Sequence, residues 1–362
     1  MTLLPATPIF LPLSLPTITP TADAALQVRL QHKIDLKTKP LGALGRLECL
    51  ALQLGLIQRS ETVVLMQPQV VVFAADHGVA AEGVSAFPPA VTMQMVANML
   101  AGGAAINVFA RQHGFALQVV DAGVAAEMPA HPQLLQRKVA FGTRNLCVEP
   151  AMTLEQVKTA LHAGMHIVQA LPGNVVAFGE MGIGNTSAAA LLLARLAGVS
   201  LLDATGRGTG LSDEQLALKQ RALARALARN PAATEPLQAL ADVGGFEIAM
   251  MTGAMLQAAA DRHVVLVDGF IAGAAALVAH ALAPAVKDYL VFSHRSAERG
   301  HDLLLAHLDA RPLLALDLRL GEGSGALLAW PLVQSAAAFL NEMASFETAG
   351  VSGKAATIAE AA

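Results

Sequence analysis

Short apolar runs, several rich in β-branched residues, recur along the chain, and each closes on a polar residue, mostly beside glycine. Val70–Ala75 runs into Asp76-His77-Gly78, Leu117–Val120 into Asp121-Ala122-Gly123, and Asn174–Phe178 into Gly179-Glu180. Val264–Val267 runs into Asp268-Gly269, Tyr289–Phe292 into Ser293-His294, and Leu313–Leu320 into Gly321-Glu322-Gly323. Apolar runs of this length between turn signals predict buried strands. Longer segments predict helices between them: Ala90–His113, Thr153–Ala170, Thr186–Ala197, Asp213–Asn230, Glu247–Asp261, Ala272–Leu282, Ala297–Leu308 and Ala326–Met343. Ahead of the first strand, Thr21–Gln58 reads as two helical pieces joined by a loop at Pro40, Gly42 and Gly45.

Strands alternating with helices predict an α/β fold: a mostly parallel, Rossmann-like sheet covered by helices on both faces. The expected organisation is a strap and helices over residues 1–60, an α/β core over 61–325 and a helical segment over 326–351. The first and last of these form a smaller helical domain, and residues 352–362 form a disordered tail. In such sheets ligands bind outside the carboxyl ends of the strands. By position alone, Asp76, Asp121, Glu180, Asp268, His294 and Glu322 share that rim.

The stretch Phe178-Gly-Glu-Met-Gly-Ile-Gly-Asn-Thr-Ser187 organises the rest. It reads as strand, glycine turn, helix. Gly179, Gly182 and Gly184 allow close backbone approach, and Asn185, Thr186 and Ser187 suit an N-cap. A helix start offers free N–H groups and a positive dipole end to an anion. Glu180 would repel that anion, so it is expected to face another part of a substrate.

Composition narrows the classes of function. Hydrophobic residues make up 54% of the 362 and charged residues 14%, against about a quarter in ordinary domains. So little charge implies extensive burial and a buried subunit interface. A net charge of −4 without a basic block argues against nucleic-acid and anionic-membrane partners. Cys49 and Cys147 are isolated, which indicates neither disulfides nor structural zinc. Met1–Pro20 is apolar with five prolines and no Lys or Arg, unlike a signal peptide. The apolar stretches near Leu191 and Ala274 are interrupted by Arg195, Asp268 and His280, so neither predicts a membrane span. The expected location is the cytoplasm. His294, Glu298 and His301 have the spacing of one helix face, and they read as hydrogen-bonded rim residues rather than metal ligands.

Ten stretches in order resemble the nicotinate-nucleotide–dimethylbenzimidazole phosphoribosyltransferase family. They are Lys39-Pro-Leu-Gly-Ala-Leu-Gly-Arg-Leu-Glu48, Ala74-Ala-Asp-His-Gly78, Gly102-Gly-Ala-Ala-Ile-Asn107 and Gly142-Thr-Arg-Asn145. They continue with Gly179-Glu-Met-Gly-Ile-Gly-Asn-Thr186, Gly206-Arg-Gly-Thr-Gly210, Gly244-Gly-Phe-Glu-Ile248 and Asp268-Gly-Phe-Ile271. Ser293-His-Arg-Ser-Ala-Glu298 and Leu318-Arg-Leu-Gly-Glu-Gly323 close the series. The resemblance implies transfer of phosphoribose from nicotinate mononucleotide to 5,6-dimethylbenzimidazole in cobalamin nucleotide-loop assembly, by a homodimer with no cofactor and no metal.

It also implies roles. Glu322 matches the family's catalytic glutamate and is expected to take the benzimidazole N–H proton. Glu180 is expected to support positive charge near the anomeric carbon or orient the ribose hydroxyls. Gly179, Gly182, Gly184, Asn185, Thr186, Lys219 and Asp268 are expected around the phosphoribosyl group. Ser85, Phe87, Gln94, Met181 and Leu320 are expected around the base. Two rival readings share these residues. One is a transferase for another base, such as adenine or a phenol. The other is a non-catalytic binder of the nucleotide, which would have no use for a base at position 322.

Overall fold

A computed structural model describes residues 13–352 apart from Thr209. The expected strap therefore lies outside the described residues as far as residue 12, and the expected tail lies outside them after Ser352. Six strands form one parallel sheet: β1 (Gln69–Ala75), β2 (Ala116–Gly123), β3 (Leu134–Gln136), β4 (Val175–Met181), β5 (Val264–Val267) and β6 (Leu290–Phe292). Their spatial order is β3-β2-β1-β4-β5-β6. The order reverses between β1 and β4, where a doubly wound sheet opens its ligand crevice.

The helices are α1 (Ala24–Asp35), α2 (Arg46–Gln58), α3 (Ala90–Leu100), α4 (Ala105–His113), α5 (Leu154–Gln169), α6 (Asn185–Ala197) and α7 (Leu201–Ala204). They continue with α8 (Asp213–Arg229), α9 (Pro236–Val243), α10 (Phe246–Ala260), α11 (Phe270–Leu282), α12 (His301–His307), α13 (Ser324–Glu342) and α14 (Phe346–Ala349). Every residue of β1 is buried, so both faces of the sheet are covered. Its near-continuous Val/Phe/Ala sequence follows from that, because a strand wet on one face would alternate. Helix α10 crosses β1, β2, β4 and β5 and packs on α5; all of its residues but Ala260 are buried. Helix α2 packs on both α1 and α13, and Lys37 bridges to Ser345.

The alternating pattern is borne out, with corrections. The single helix expected over Ala90–His113 is two helices, because Gly102 and Gly103 turn the chain between α3 and α4. This stretch has the length and hydropathy of a membrane span, but it is broken into helices of 11 and 9 residues. The strand expected over Leu313–Leu320 does not join the main sheet. Only β8 (Leu314–Ala315) pairs, with β7 (His294–Arg295), in a separate ribbon. The helix expected over Ala297–Leu308 narrows to α12, because the backbone N–H of Ser296 donates to His301 Nδ1 and holds residues 296–300 as a turn. The strand β3, α7 and α9 were not foreseen. The three residues of β3 are too few to set up a pattern.

Candidate active site

The strand β4 runs on past Phe178 and carries Glu180 itself, so this carboxylate sits on the sheet edge rather than in the turn after it. The register pairs Phe73 with Glu180 and Ala74 with Met181, which sets Glu180 beside the end of β1. Gly182 and Ile183 turn the chain, and Gly184, at φ 99°, caps α6. The expected Asn185 cap is not made. The Asn185 amide instead donates to Glu180 Oε2, and the Ile183 N–H donates to Thr92 Oγ1 on α3 at 3.1 Å.

Glu322 lies opposite, between Gly321 and Gly323, and it does not end a strand of the main sheet. The three residues have φ of 84°, 64° and 87°. A glutamate in left-handed backbone is uncommon, and such strain concentrates where the surroundings over-determine a geometry. Two contacts do so here. A Cβ on Gly179 would lie 2.2 Å from the Glu322 carbonyl oxygen, and one on Gly321 would lie 2.1 Å from Glu180 Oε1. Each glutamate's segment thus packs into the space left by a glycine in the other. The Ile106 N–H, at the start of α4, donates to Glu322 Oε2 at 3.2 Å.

Asp268, at the end of β5, accepts from the N–H groups of Gly323 (3.2 Å) and Ala326 (3.0 Å). It therefore caps α13 and anchors the Glu322 turn, rather than capping the helix that follows it in sequence. Burial pushes Glu180 up to about 8, against the lowering effect of the Asn185 hydrogen bond and with help from the charges of Asp268, Glu247 and Glu322. Burial likewise lifts Asp268 to about 7 despite its backbone donors. Glu322 is raised by burial and by Asp268, against the Ile106 hydrogen bond. A carboxylate whose pKa is raised toward neutrality suits proton removal at physiological pH.

These groups face one cavity of about 330 Å³, within the range of small-molecule sites. One wall is apolar, with Phe87, Val91, Met95, Met181 and Leu320. Its polar lining includes Asp268, His294, Ser296 and Glu298. Gly182, Asn185 and Thr186 border the glycine loop at Gly208. Glu180, Glu322, Asp268, Gly182, Asn185, Thr186, Phe87, Met181 and Leu320 are thus brought together as the sequence implied.

Five expected residues do not line the cavity. Gly179 lies behind the Glu322 turn, and Gly184 packs on His77. Lys219 is fully buried behind Thr186, donating to Thr186 Oγ1 (2.8 Å) and to the Gly206 carbonyl (3.3 Å). Burial depresses its pKa to about 8, against the pull of Glu298. Ser85 accepts from the Phe87 N–H, which shapes the loop before α3, and Gln94 is exposed on α3, turned from the cavity that Val91 and Met95 face.

Two rim carboxylates lie outside the cavity. Asp76 accepts from the Ala125 N–H, and Asp121 pairs with Lys138 at 2.9 Å. His294 and His301 spend Nδ1 on Ser293 Oγ and the Ser296 N–H. Among the described residues no group of three His, Cys, Asp or Glu is arranged to hold a metal ion. Sequence reading missed Thr92 and Ile106. Their contributions are a buried hydroxyl and a backbone N–H, and neither leaves a signal in composition; Val91 and Met95, likewise not anticipated, carry the signal of an i, i+4 apolar pair.

The apolar cavity with raised carboxylates lies at the carboxyl ends of a doubly wound sheet, and the family model described as "Phosphoribosyltransferase" matches residues 19–351, which gives the class of the protein. The chain is 64% identical over 336 residues to the nicotinate-nucleotide–dimethylbenzimidazole phosphoribosyltransferase of Cupriavidus taiwanensis, covering 92% of this chain and 97% of that protein. The enzyme of the same name from Cupriavidus necator is 64% identical over 340 residues, covering 93% and 98%. The crystal structure of CobT from Thermus thermophilus superimposes with a TM-score of 0.89 at 47% identity, covering 91% of this chain and all of that one. The chain belongs to the nicotinate-nucleotide–dimethylbenzimidazole phosphoribosyltransferase family.

Proposed function

We propose that this protein transfers the phosphoribosyl group of nicotinate mononucleotide to 5,6-dimethylbenzimidazole, releasing nicotinate and forming α-ribazole 5′-phosphate. The C1′–N bond to the pyridinium breaks, and its electron pair returns to the ring nitrogen. Nicotinate therefore leaves without needing a proton. A benzimidazole nitrogen forms the new C1′–N bond on the opposite face of the ribose, which inverts β to α. The proton on the other benzimidazole nitrogen goes to Glu322. One general base and one stabiliser of positive charge suffice, and the chemistry calls for no cofactor.

The observation that carries this reading is the pair of opposed glutamates in one cavity, each segment packed on a glycine of the other. Glu180 faces the donor. The cationic pyridinium and the developing oxocarbenium favour its ionised form, which burial by itself disfavours. Asn185 orients that carboxylate. Thr186, with Lys219 behind it, holds the phosphate side together with the backbone of the Gly182–Gly184 turn. Phe87, Met181 and Leu320 hold the base, with Ser85 shaping the Phe87 loop, and Asp268 fixes the Glu322 turn.

The protein acts as a homodimer in the cytoplasm. Phe87 and Leu320, both lining the cavity, are each more than half exposed, a surface suited to cover by a second copy. The terminal segments around α1, α2 and α13 make up its smaller helical domain. The test incubates the pure protein with both substrates and measures nicotinate release by chromatography. Light scattering on the same sample reports the dimer. Absence of nicotinate release between pH 6 and 9 would overturn the reading.

A further inference from the structure

Two of the family-matching stretches have no part in the chemistry above: Ala74-Ala-Asp-His-Gly78 after β1, and Gly244-Gly-Phe-Glu-Ile248 at the start of α10. They meet in the interior. His77 Nε2 lies 2.7 Å from Glu247 Oε1, and both side chains are wholly inaccessible. Glu247 is the one charged residue within α10. A Cβ on Gly245 would lie 2.3 Å from His77 Cε1 and 2.6 Å from Glu247 Oε2, so the glycine before α10 is required for the pair to close.

The other side of the imidazole faces the donor turn. A Cβ on Gly182 would lie 3.4 Å from His77 Cδ2 and 3.4 Å from the Asn185 amide nitrogen, and one on Gly184 would lie 3.3 Å from His77 Cβ. The ring therefore packs beneath Gly182, as the His77 Cβ does beneath Gly184, and Gly182 is also flanked by the amide that orients Glu180. A buried ion pair is a poor way to gain stability, since desolvation offsets the attraction and an apolar pair of like volume often does as well. His77 Nδ1 and Glu247 Oε2 are moreover left without hydrogen-bond partners. What the pair does supply is direction: one ring orientation, fixed by one carboxylate.

We infer that His77 and Glu247 are a positioning pair for the known reaction, holding the Gly182–Gly184 turn and the Asn185 amide in the arrangement that binds the phosphoribosyl donor. This rests on the transferase reading. Burial would depress the imidazole's pKa, but the charge and hydrogen bond of Glu247, with the charge of Asp76, outweigh it and raise the value.

The experiment compares wild type with Glu247→Leu, Glu247→Gln and His77→Gln. Titration calorimetry gives Kd for nicotinate mononucleotide, and kinetics give KM for each substrate. Glu247→Leu and His77→Gln are expected to raise the donor Kd and KM about tenfold, equivalent to ~1.4 kcal/mol, and to leave the dimethylbenzimidazole KM within about twofold. Glu247→Gln keeps an acceptor for the ring and is expected to restore most of the loss. The inference fails if folded Glu247→Leu binds donor like wild type. It fails equally if both KM values rise together and Glu247→Gln gives no rescue, as a merely structural role would have it. Should Glu247→Leu not fold, His77→Gln decides by the same criterion. An inactive wild type would sink the transferase reading instead, and calorimetric donor binding would still report on the pair.

Discussion

Gly321→Ala is the perturbation that most directly probes the packing of the two glutamates. The new methyl carbon would stand 2.1 Å from Glu180 Oε1, whereas unstrained non-bonded contacts lie near about 3.5 Å. The carboxylate must retreat by more than about 1 Å, or the 321–323 turn must open. Glu180 is buried and tied to Asn185, so retreat forces it off its rotamer, at roughly 1 kcal/mol. Residue 321 also has φ 84°, which costs an L-residue roughly 1–2 kcal/mol. The expected loss of stability is therefore about 2–3 kcal/mol. A displacement near 1 Å at a reacting group costs on the order of a hundredfold in rate. Chemical denaturation and initial rates of nicotinate release measure the two effects. A variant with wild-type stability and a rate within about threefold would show that the two segments are not packed on one another, and the reasoning about the site would fall.

Further outcomes follow from the same geometry. Glu322→Gln is expected to lower kcat by about a hundredfold or more, the general-base scale, without loss of folding by circular dichroism; near-normal turnover would move the base elsewhere, with Glu180 next. Because Glu322 must be ionised to act and its pKa is raised, kcat/KM of the wild type is expected to fall with acidification from above the ordinary carboxylate range. Glu180, raised from 4.5 to about 8, binds its proton more tightly folded than unfolded. It therefore destabilises the fold progressively as pH rises from about 4.5 to 8, so the stability gained by Glu180→Gln should grow over that window by up to a few kcal/mol. A pH-independent difference in melting would contradict the raised value. Lys219→Met removes the cation behind Thr186 and is expected to weaken calorimetric binding of nicotinate mononucleotide about tenfold, with the dimethylbenzimidazole KM little changed.

The sheet was legible because its strands are buried on both faces and so read as apolar runs; β1, β4 and β5 fall within a residue or a few of their expected bounds. Glu180 and Glu322 were legible because glycine flanks both. The partners that orient them were not. Glu322 takes its hydrogen bond from Ile106, 216 residues away, and Asp268 caps a helix 58 residues on. A backbone N–H carries no residue signature, so only the fold discloses such contacts. The run Leu313–Leu320 misled because only Leu314 and Ala315 pair, in the separate ribbon, while Leu316 is exposed and Leu320 lines the cavity. Leu320 is 58% exposed at the mouth, where burial on both faces had been inferred. Lys219 was found by resemblance, but its depth was not: on α8 it faces inward, and its charge acts through Thr186.

The most direct test of the central claim is nicotinate release by the purified protein given nicotinate mononucleotide, with and without 5,6-dimethylbenzimidazole, followed by chromatography of both products. Release that depends on the benzimidazole, in equal amount with an α-linked nucleotide and abolished in Glu322→Gln, is the predicted result. Release of nicotinate without nucleotide formation, or no release while the nucleotide still binds, would contradict it.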